Sequence, residues 1–341
     1  MSDDATIGPA EPLRPTEPSD AVAVADILDP SPQPDRPKPS RLGRVPGSGL
    51  WAAMALPGTL WLVALFVIPA YAILAVAFGG IDPILRTTAP AWNPLDWDVA
   101  AMRHTLDRVF GGDLGRVFVR TGLFALASLL LCFLIGYPVA YFVARKADRS
   151  RGLLLLLLVL PFWISYLMRM LAWVNLLQTD GYVNKVLGWL QLGSGDRNWL
   201  DGDWPTVVMG LTYGYIPFFI LPLYAALERL DGRLIEAARD LGASRVSTFL
   251  RVTLPLSVPG LLAASVIIVL PMCGDYYTNT YLTGGSPRTE MVGNQIEFFL
   301  RGSSQPQTGA SLVIVLMVFL MLAMAYYLYT IAKSQRQGAI G

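Results

Sequence analysis

The chain has 341 residues, of which 54% are hydrophobic and only 15% charged, and its mean hydropathy is +0.48, which places it with membrane proteins and apart from soluble two-domain chains of similar length. A net charge of +1 argues against a nucleic-acid partner, which calls for a concentrated basic surface. Cys132 and Cys273 both fall in apolar runs and imply no disulfide framework, and the lone His104 has no companions for a metal site.

Residues 1–48 are rich in Pro, Asp and Ser and poor in aromatics, so this segment is expected to be a disordered tail that cannot bury enough surface to fold. Arg36, Lys38, Arg41 and Arg44 crowd the approach to the first apolar run. From there the hydropathy pattern predicts an all-α, polytopic membrane domain over residues 49–333 with six spans, at about 50–78, 121–144, 152–177, 206–227, 256–277 and 309–332. The connection over residues 79–119 is polar. Gly136 and Pro138 in the second span are tolerated where neighbouring helices satisfy the freed backbone groups, and Pro217 and Pro222 mark kinks in the fourth.

Orientation follows from charge. The tight link of residues 145–151 holds Arg145, Lys146, Arg149 and Arg151, and short loops rich in Lys and Arg stay on the cytoplasmic side. Counting spans outward from this link puts residues 79–119 outside, residues 228–255 inside, residues 278–308 outside and both termini inside, with residues 334–341 as a cytoplasmic tail. Gly284-Gly285-Ser286-Pro287 is a turn signal, and Met291 to Leu300 reads as a short helix at the membrane surface.

The internal polar segment is the most informative stretch. Glu236-Ala237-Ala238 opens a run of good helix formers that also holds Asp240 and Leu241. Gly242 stops it, because a residue without Cβ takes the left-handed turn that closes a helix. After Ala243 a second short helix is expected from Ser244, a favoured N-cap, with Pro255 ending it just past Leu254. A helix, a glycine elbow and a helix outside the bilayer suit docking into a partner's groove.

Chemistry-bearing residues inside the spans are few. No GxxxxGK[ST] phosphate loop, metal-ligand cluster, HExxH or GxSxG occurs, so ATP is not expected to bind here and no metal or other cofactor is implied. Arg169 and Asp275 are the two clearest intramembrane charges, and such costly groups face a protein interior or a watery path. Lying about seventeen and nineteen residues from the inner starts of their spans, they are expected at similar depth toward the outer leaflet. Two arrangements satisfy this: direct pairing, or a shared lining of the translocation pathway; snorkelling to the outer headgroups is the alternative. Trp163, Trp173, Tyr276 and Tyr277 fit either an interfacial aromatic belt or cation recognition beside Asp275.

Glu236-Ala237-Ala238, Gly242 six residues after Glu236, and Val252, Leu254 and Pro255 resemble the EAA loop of ATP-binding-cassette importer permeases at every fixed point. Pro161 to Trp173, PFWISYLMRMLAW, and Leu270 to Gly285, LPMCGDYYTNTYLTGG, followed by MVGNQI, resemble the spermidine/putrescine permeases of that group. The likeness spans about residues 50–332; the long N-terminal tail and Thr283, which separates Leu282 from the paired glycines, depart from it. The resemblance implies a type I importer fold in a bacterial inner membrane, with no catalytic site of its own. It also implies a homologous second permease, two copies of a cytoplasmic ATPase that uses the ATP, and an external solute-binding protein. Polyamine cargo is the implied substrate. Amino-acid derivatives, an oxyanion such as sulfate contacting Arg169, and a multispan enzyme built on Arg169 and Asp275 stay open as alternatives.

Overall fold

The computed structural model describes residues 48–81, 88–147, 149–191, 197–302 and 305–338. The expected disordered tail lies outside these residues up to position 47, with Ser48 already helical. The chain divides into two units at Leu65 and Phe66. The first holds the N-terminal part of helix α1 (Ser48–Ala77), where Met54, Leu56, Leu60 and Trp61 are exposed apolar side chains suited to lipid. The second unit, Phe66–Gly341, holds the remaining elements.

The end of α1 is tied down by polar and aromatic contacts. The Tyr71 hydroxyl donates to the Trp92 carbonyl, and Phe78 stacks on Trp97 at 4.8 Å. A two-residue antiparallel ladder pairs Gly80 with Ala89 and Ile81 with Thr88. The connection read as merely polar contains helix α2 (Ala100–Gly111), and α3 (Asp113–Arg145) starts eight residues before the expected Thr121. An Arg108–Asp113 ion pair of 2.6 Å joins them.

The core is built by α3, α7 (Trp204–Glu228) and α10 (Leu254–Cys273). Phe124, Cys132, Phe219, Leu223, Ile268 and Met272 are buried there. Small residues let these helices approach: a Cβ on Gly136 would meet Phe219 at 2.9 Å, and one on Gly260 would meet the Ala226 Cβ at 2.1 Å. Cys132 and Cys273 are buried free thiols, as their apolar settings predicted.

Among the described residues, five helices are long and apolar enough to cross a membrane, and a sixth candidate is broken. The third span is not one helix over 152–177. It consists of α4 (Arg151–Val159), a 3-10 turn Leu160–Trp163, and α5 (Tyr166–Leu177), with an 88° bend between the two parts. Pro161 offers no N–H, and Ile164 (ψ 137) and Ser165 (ψ 140) are extended, so the helical ladder cannot run through. The depth of Arg169 therefore cannot be counted as a straight rise from Gly152. After the bend, α6 (Tyr182–Trp189) precedes α7.

The polar loop forms helix α8 (Gly232–Asp240), and then α9 (Arg245–Thr248) continues through a π-turn, Phe249–Thr253, into α10. Pro255 thus does not end a helix. It sits in the first turn after the π-turn, where the wider ladder accommodates the missing N–H, and the apolar helix ends at Cys273 instead of residue 277. Beyond it come α11 (Tyr277–Leu282), α12 (Val292–Glu297) with a π-turn Phe298–Gly302, and α13 (Pro306–Gly338). The expected surface helix at Met291 to Leu300 is drawn inward: Val292, Gly293 and Asn294 are buried because their polar groups are used inside. The last helix extends to Gly338, so most of the expected C-terminal tail is helical.

Replacing Gly260 with Val should force α10 off α7, costing about 1–3 kcal/mol as overpacking does. A lowered thermal midpoint of the detergent-solubilised protein checks this.

Candidate functional site

Two places carry polar chemistry: a buried cluster at the second helix break, and the polar loop with its anchor. At the break, Gly274 to Tyr276 interrupt the helix between Cys273 and Tyr277, and Asp275 organises the groups around the gap. Its Oδ1 accepts from the Thr278 N–H at 2.9 Å, which caps α11. Its Oδ2 accepts from the Tyr215 hydroxyl at 3.0 Å and the Thr278 hydroxyl at 2.9 Å. The Tyr166 hydroxyl lies 3.0 Å from the same oxygen and 2.6 Å from Thr278 Oγ1. A carboxylate offers about four acceptor sites, so this one is nearly saturated by the protein itself.

Arg169 is buried, 8% exposed, one turn into α5. Its guanidinium lies over the rings of Phe162, Tyr166 and Tyr213, at 4.2, 5.2 and 5.9 Å. Nε and Nη1 have no hydrogen-bond partner among the described residues. The ion pairs of those residues do not include Arg169 with Asp275. Tyr166 joins the two instead, with its ring toward Arg169 and its hydroxyl on Asp275. Direct pairing, one of the two expected arrangements, is therefore not what the structure adopts.

Sequence reasoning missed the residues that make this cluster possible. Gly210 and Gly214 stand four apart on one face of α7. A Cβ at Gly210 would meet Leu282 Cδ1 at 2.3 Å, and one at Gly214 would meet the Tyr166 ring at 2.8 Å. The small-xxx-small spacing in GLTYG was the readable signal. A second hub is Asn294, whose Oδ1 accepts from the Met291 N–H at 3.1 Å and from Asn279 Nδ2 at 3.2 Å. Its Nδ2 donates to the Tyr276 carbonyl at 3.1 Å and to Thr280 Oγ1 at 3.0 Å. Gly293 beside it is forced, since a Cβ would lie 2.5 Å from the Gly274 carbonyl oxygen.

Of the other residues singled out, Tyr276 stacks on Tyr277 at 4.1 Å and Tyr277 on Tyr281 at 6.2 Å, an aromatic ladder that begins next to Asp275. Trp163 stands apart at the bend, 77% exposed.

In the polar loop, Glu236, Ala237, Asp240 and Pro255 are exposed and Leu241 is 89% exposed, while Ala238, Ala243 and Leu254 are half-buried. Gly242 has φ +84 with open space around it, the conformation expected of the elbow. Asp231 caps α8 by accepting from the Arg233 N–H, and Ser244 caps α9 by accepting from the Ser247 N–H. The loop is anchored through its ends. Phe249 meets Tyr137 edge-on at 5.4 Å, and Arg145 Nη2 donates to the Leu230 carbonyl at 2.7 Å. Arg151 pairs with Glu228 at 2.5 Å and with the Tyr224 hydroxyl. The basic link thus also ties the polar loop to the helices, which charge counting alone does not reveal.

Residues 117–335 match the family described as binding-protein-dependent transport system inner membrane component. The chain belongs to this family. It is similar to the spermidine/putrescine transport system permease protein PotB of Escherichia coli (strain K12), 37% identical over 205 residues covering 60% of this chain and 73% of that protein. The PotB protein of Haemophilus influenzae is 33% identical over 268 residues, covering 78% of this chain and 89% of its own. In fold the chain is similar to a crystal structure of a bacterial ABC transporter involved in the import of the acidic polysaccharide alginate, with TM-score 0.60, 20% identity, and coverage of 84% of this chain and 96% of that one. The protein is therefore a multi-pass inner-membrane permease subunit of an ABC importer, a transport component and not an enzyme.

Asp275→Ala in this permease should strand the Tyr215 hydroxyl and the Thr278 N–H, at about 1–3 kcal/mol for each group left unpaired, while the Tyr166 hydroxyl keeps Thr278 Oγ1. Asp275→Asn should cost less, and thermal unfolding in micelles separates the two. Exchanging Arg169 and Asp275 should restore neither stability nor transport, because the two do not pair.

Proposed function

We propose that this permease forms half of the translocation pathway of a polyamine importer. The observation that carries this reading is the similarity to two proteins named spermidine/putrescine transport system permease, one of them over 78% of this chain. A homologous second permease supplies the other half, two copies of a separate ATPase bind and hydrolyse ATP, and an external binding protein delivers the solute. The chain itself binds no nucleotide and no cofactor. On this reading both termini and the loop of residues 228–255 are cytoplasmic, in agreement with the basic residues beside them.

Cation recognition is supported by aromatic faces more than by free carboxylates. Asp275 is saturated by internal donors, so an ammonium group meets the Tyr276, Tyr277 and Tyr281 ladder, with the Asp275 charge behind it. An anion held by Arg169 fits less well, because that guanidinium is buried among three rings. Exposed Glu236 to Gly242 dock on the ATPase, and the clamps from Arg145 and Arg151 transmit its movement into α3 and α4. Such a stroke shifts the permease only if ATP favours one of the two states.

Uptake by the reconstituted importer of labelled spermidine, measured against sulfate and amino-acid derivatives, tests the cargo; uptake of sulfate with none of spermidine overturns it. For the coupling, Gly242→Val places a β-branched residue at positive φ, a strain of about 1–2 kcal/mol, and should lower uptake roughly tenfold with membrane insertion intact. Arg151→Glu should impair coupled ATP hydrolysis, and adding Glu228→Arg should restore part of it. Unchanged transport in a well-inserted Gly242→Val variant removes the docking role.

A further inference from the structure

At the end of α3 away from Arg145, arginines gather against the usual charge bias of membrane proteins. Two of the three are occupied. Arg108 pairs with Asp113 at 2.6 Å and lies 5.5 Å from the Phe299 ring centre. Arg120 donates to the carbonyls of Glu290, Pro287 and Arg288 at 2.7, 2.9 and 3.0 Å, holding that loop to the helix. Arg116 is exposed and makes no hydrogen bond or ion pair among the described residues.

Arg116 and Arg120 border a cavity of about 590 Å³ that Gly111 and Gly112 leave free of side chains. A second cleft, of about 600 Å³, lies between α2, α3 and α13 and is lined by groups such as Phe78, Leu106, Ile314 and Phe319. Val109, Phe110, Gly115 and Val119 line both, so the two are continuous. One end is cationic and the other wholly apolar.

We propose that this composite groove is a binding site for an anionic phospholipid, with an acyl chain in the cleft and the phosphate at Arg116. A soluble anion has no use for the cleft, and a neutral lipid has none for the arginine. A helix of the partner permease would cover the cleft yet leave Arg116 without a counter-charge. Arg116 neutralises a headgroup as basic pockets between membrane helices do, and the lipid seals α2 against α13. Such a site requires only that the chain is a membrane permease, and does not depend on the cargo.

The test uses the full importer in phosphatidylcholine nanodiscs containing phosphatidylglycerol with a diazirine on one acyl chain. Photolabel is expected on peptides spanning residues 109–119 and 314–322, about fivefold above an equally labelled phosphatidylcholine, the ratio one arginine gives near an anionic headgroup. Arg116→Gln should bring the two lipids level. Val119→Trp, at an exposed position that lines both cavities, should remove the label while the thermal midpoint holds. Equal labelling by both lipids in the unaltered protein overturns the proposal. So does undiminished labelling in Arg116→Gln, or a cross-link from Phe319 to the partner permease in place of lipid.

Discussion

A broken helix inside a bilayer exposes backbone groups that no water is present to satisfy, and each must find a partner within the protein. This permease has such a break after Cys273 and another at Ile164 and Ser165, and the Asp275 carboxylate joins them. Through Tyr166 it reaches the first residue of α5, through Tyr215 it reaches α7, and through Thr278 it starts α11. Asn294 adds a side-chain donor to the Tyr276 carbonyl, which also accepts from the Thr280 N–H at 3.1 Å. Remove the carboxylate and four donors from three segments lose their common acceptor.

The same economy governs the distribution of small residues. Gly210 and Gly214 admit Leu282 and Tyr166 to the face of α7, and Gly293 lets α12 touch the backbone at Gly274 and Asp275. Where backbones must come this close, dispersion and hydrogen bonding replace the hydrophobic drive that lipid cannot supply. Arg169 shares the neighbourhood but not the network, lying against rings and not against a carboxylate. Rigidity around the breaks and exposure at the polar loop are complementary. The loop presents Leu241 and Glu236 outward while Arg145, Arg151 and Phe249 fasten its two ends to the helices.

Most of the helical plan was legible because hydropathy is a local property. Six apolar runs, the glycine elbow at Gly242 and the cap Ser244 all depend on residues near one another in the chain. The errors lie where local signals compete. Pro161 and Ser165 sit inside a run apolar enough to be read as a single span, and Pro255 looks like a stop until a π-turn makes room for it. Met291 to Leu300 is amphipathic enough for a surface, yet Asn294 and Gly293 are required inside.

What the sequence determined by itself was class, the order of the apolar helices, the position of the glycine elbow and the identity of the two charges buried among them, since each rests on composition or short-range spacing. Tertiary structure decided what those charges do. Arg169 and Asp275 are 106 residues apart in the chain, and neither charge nor spacing specifies whether the nearest neighbour of one is the other or a tyrosine. That choice was made by the bend before Tyr166 and the bare face of α7, which bring a ring and a hydroxyl between them. Partner choice for a buried group is a property of packing, and packing is set only when the helices meet.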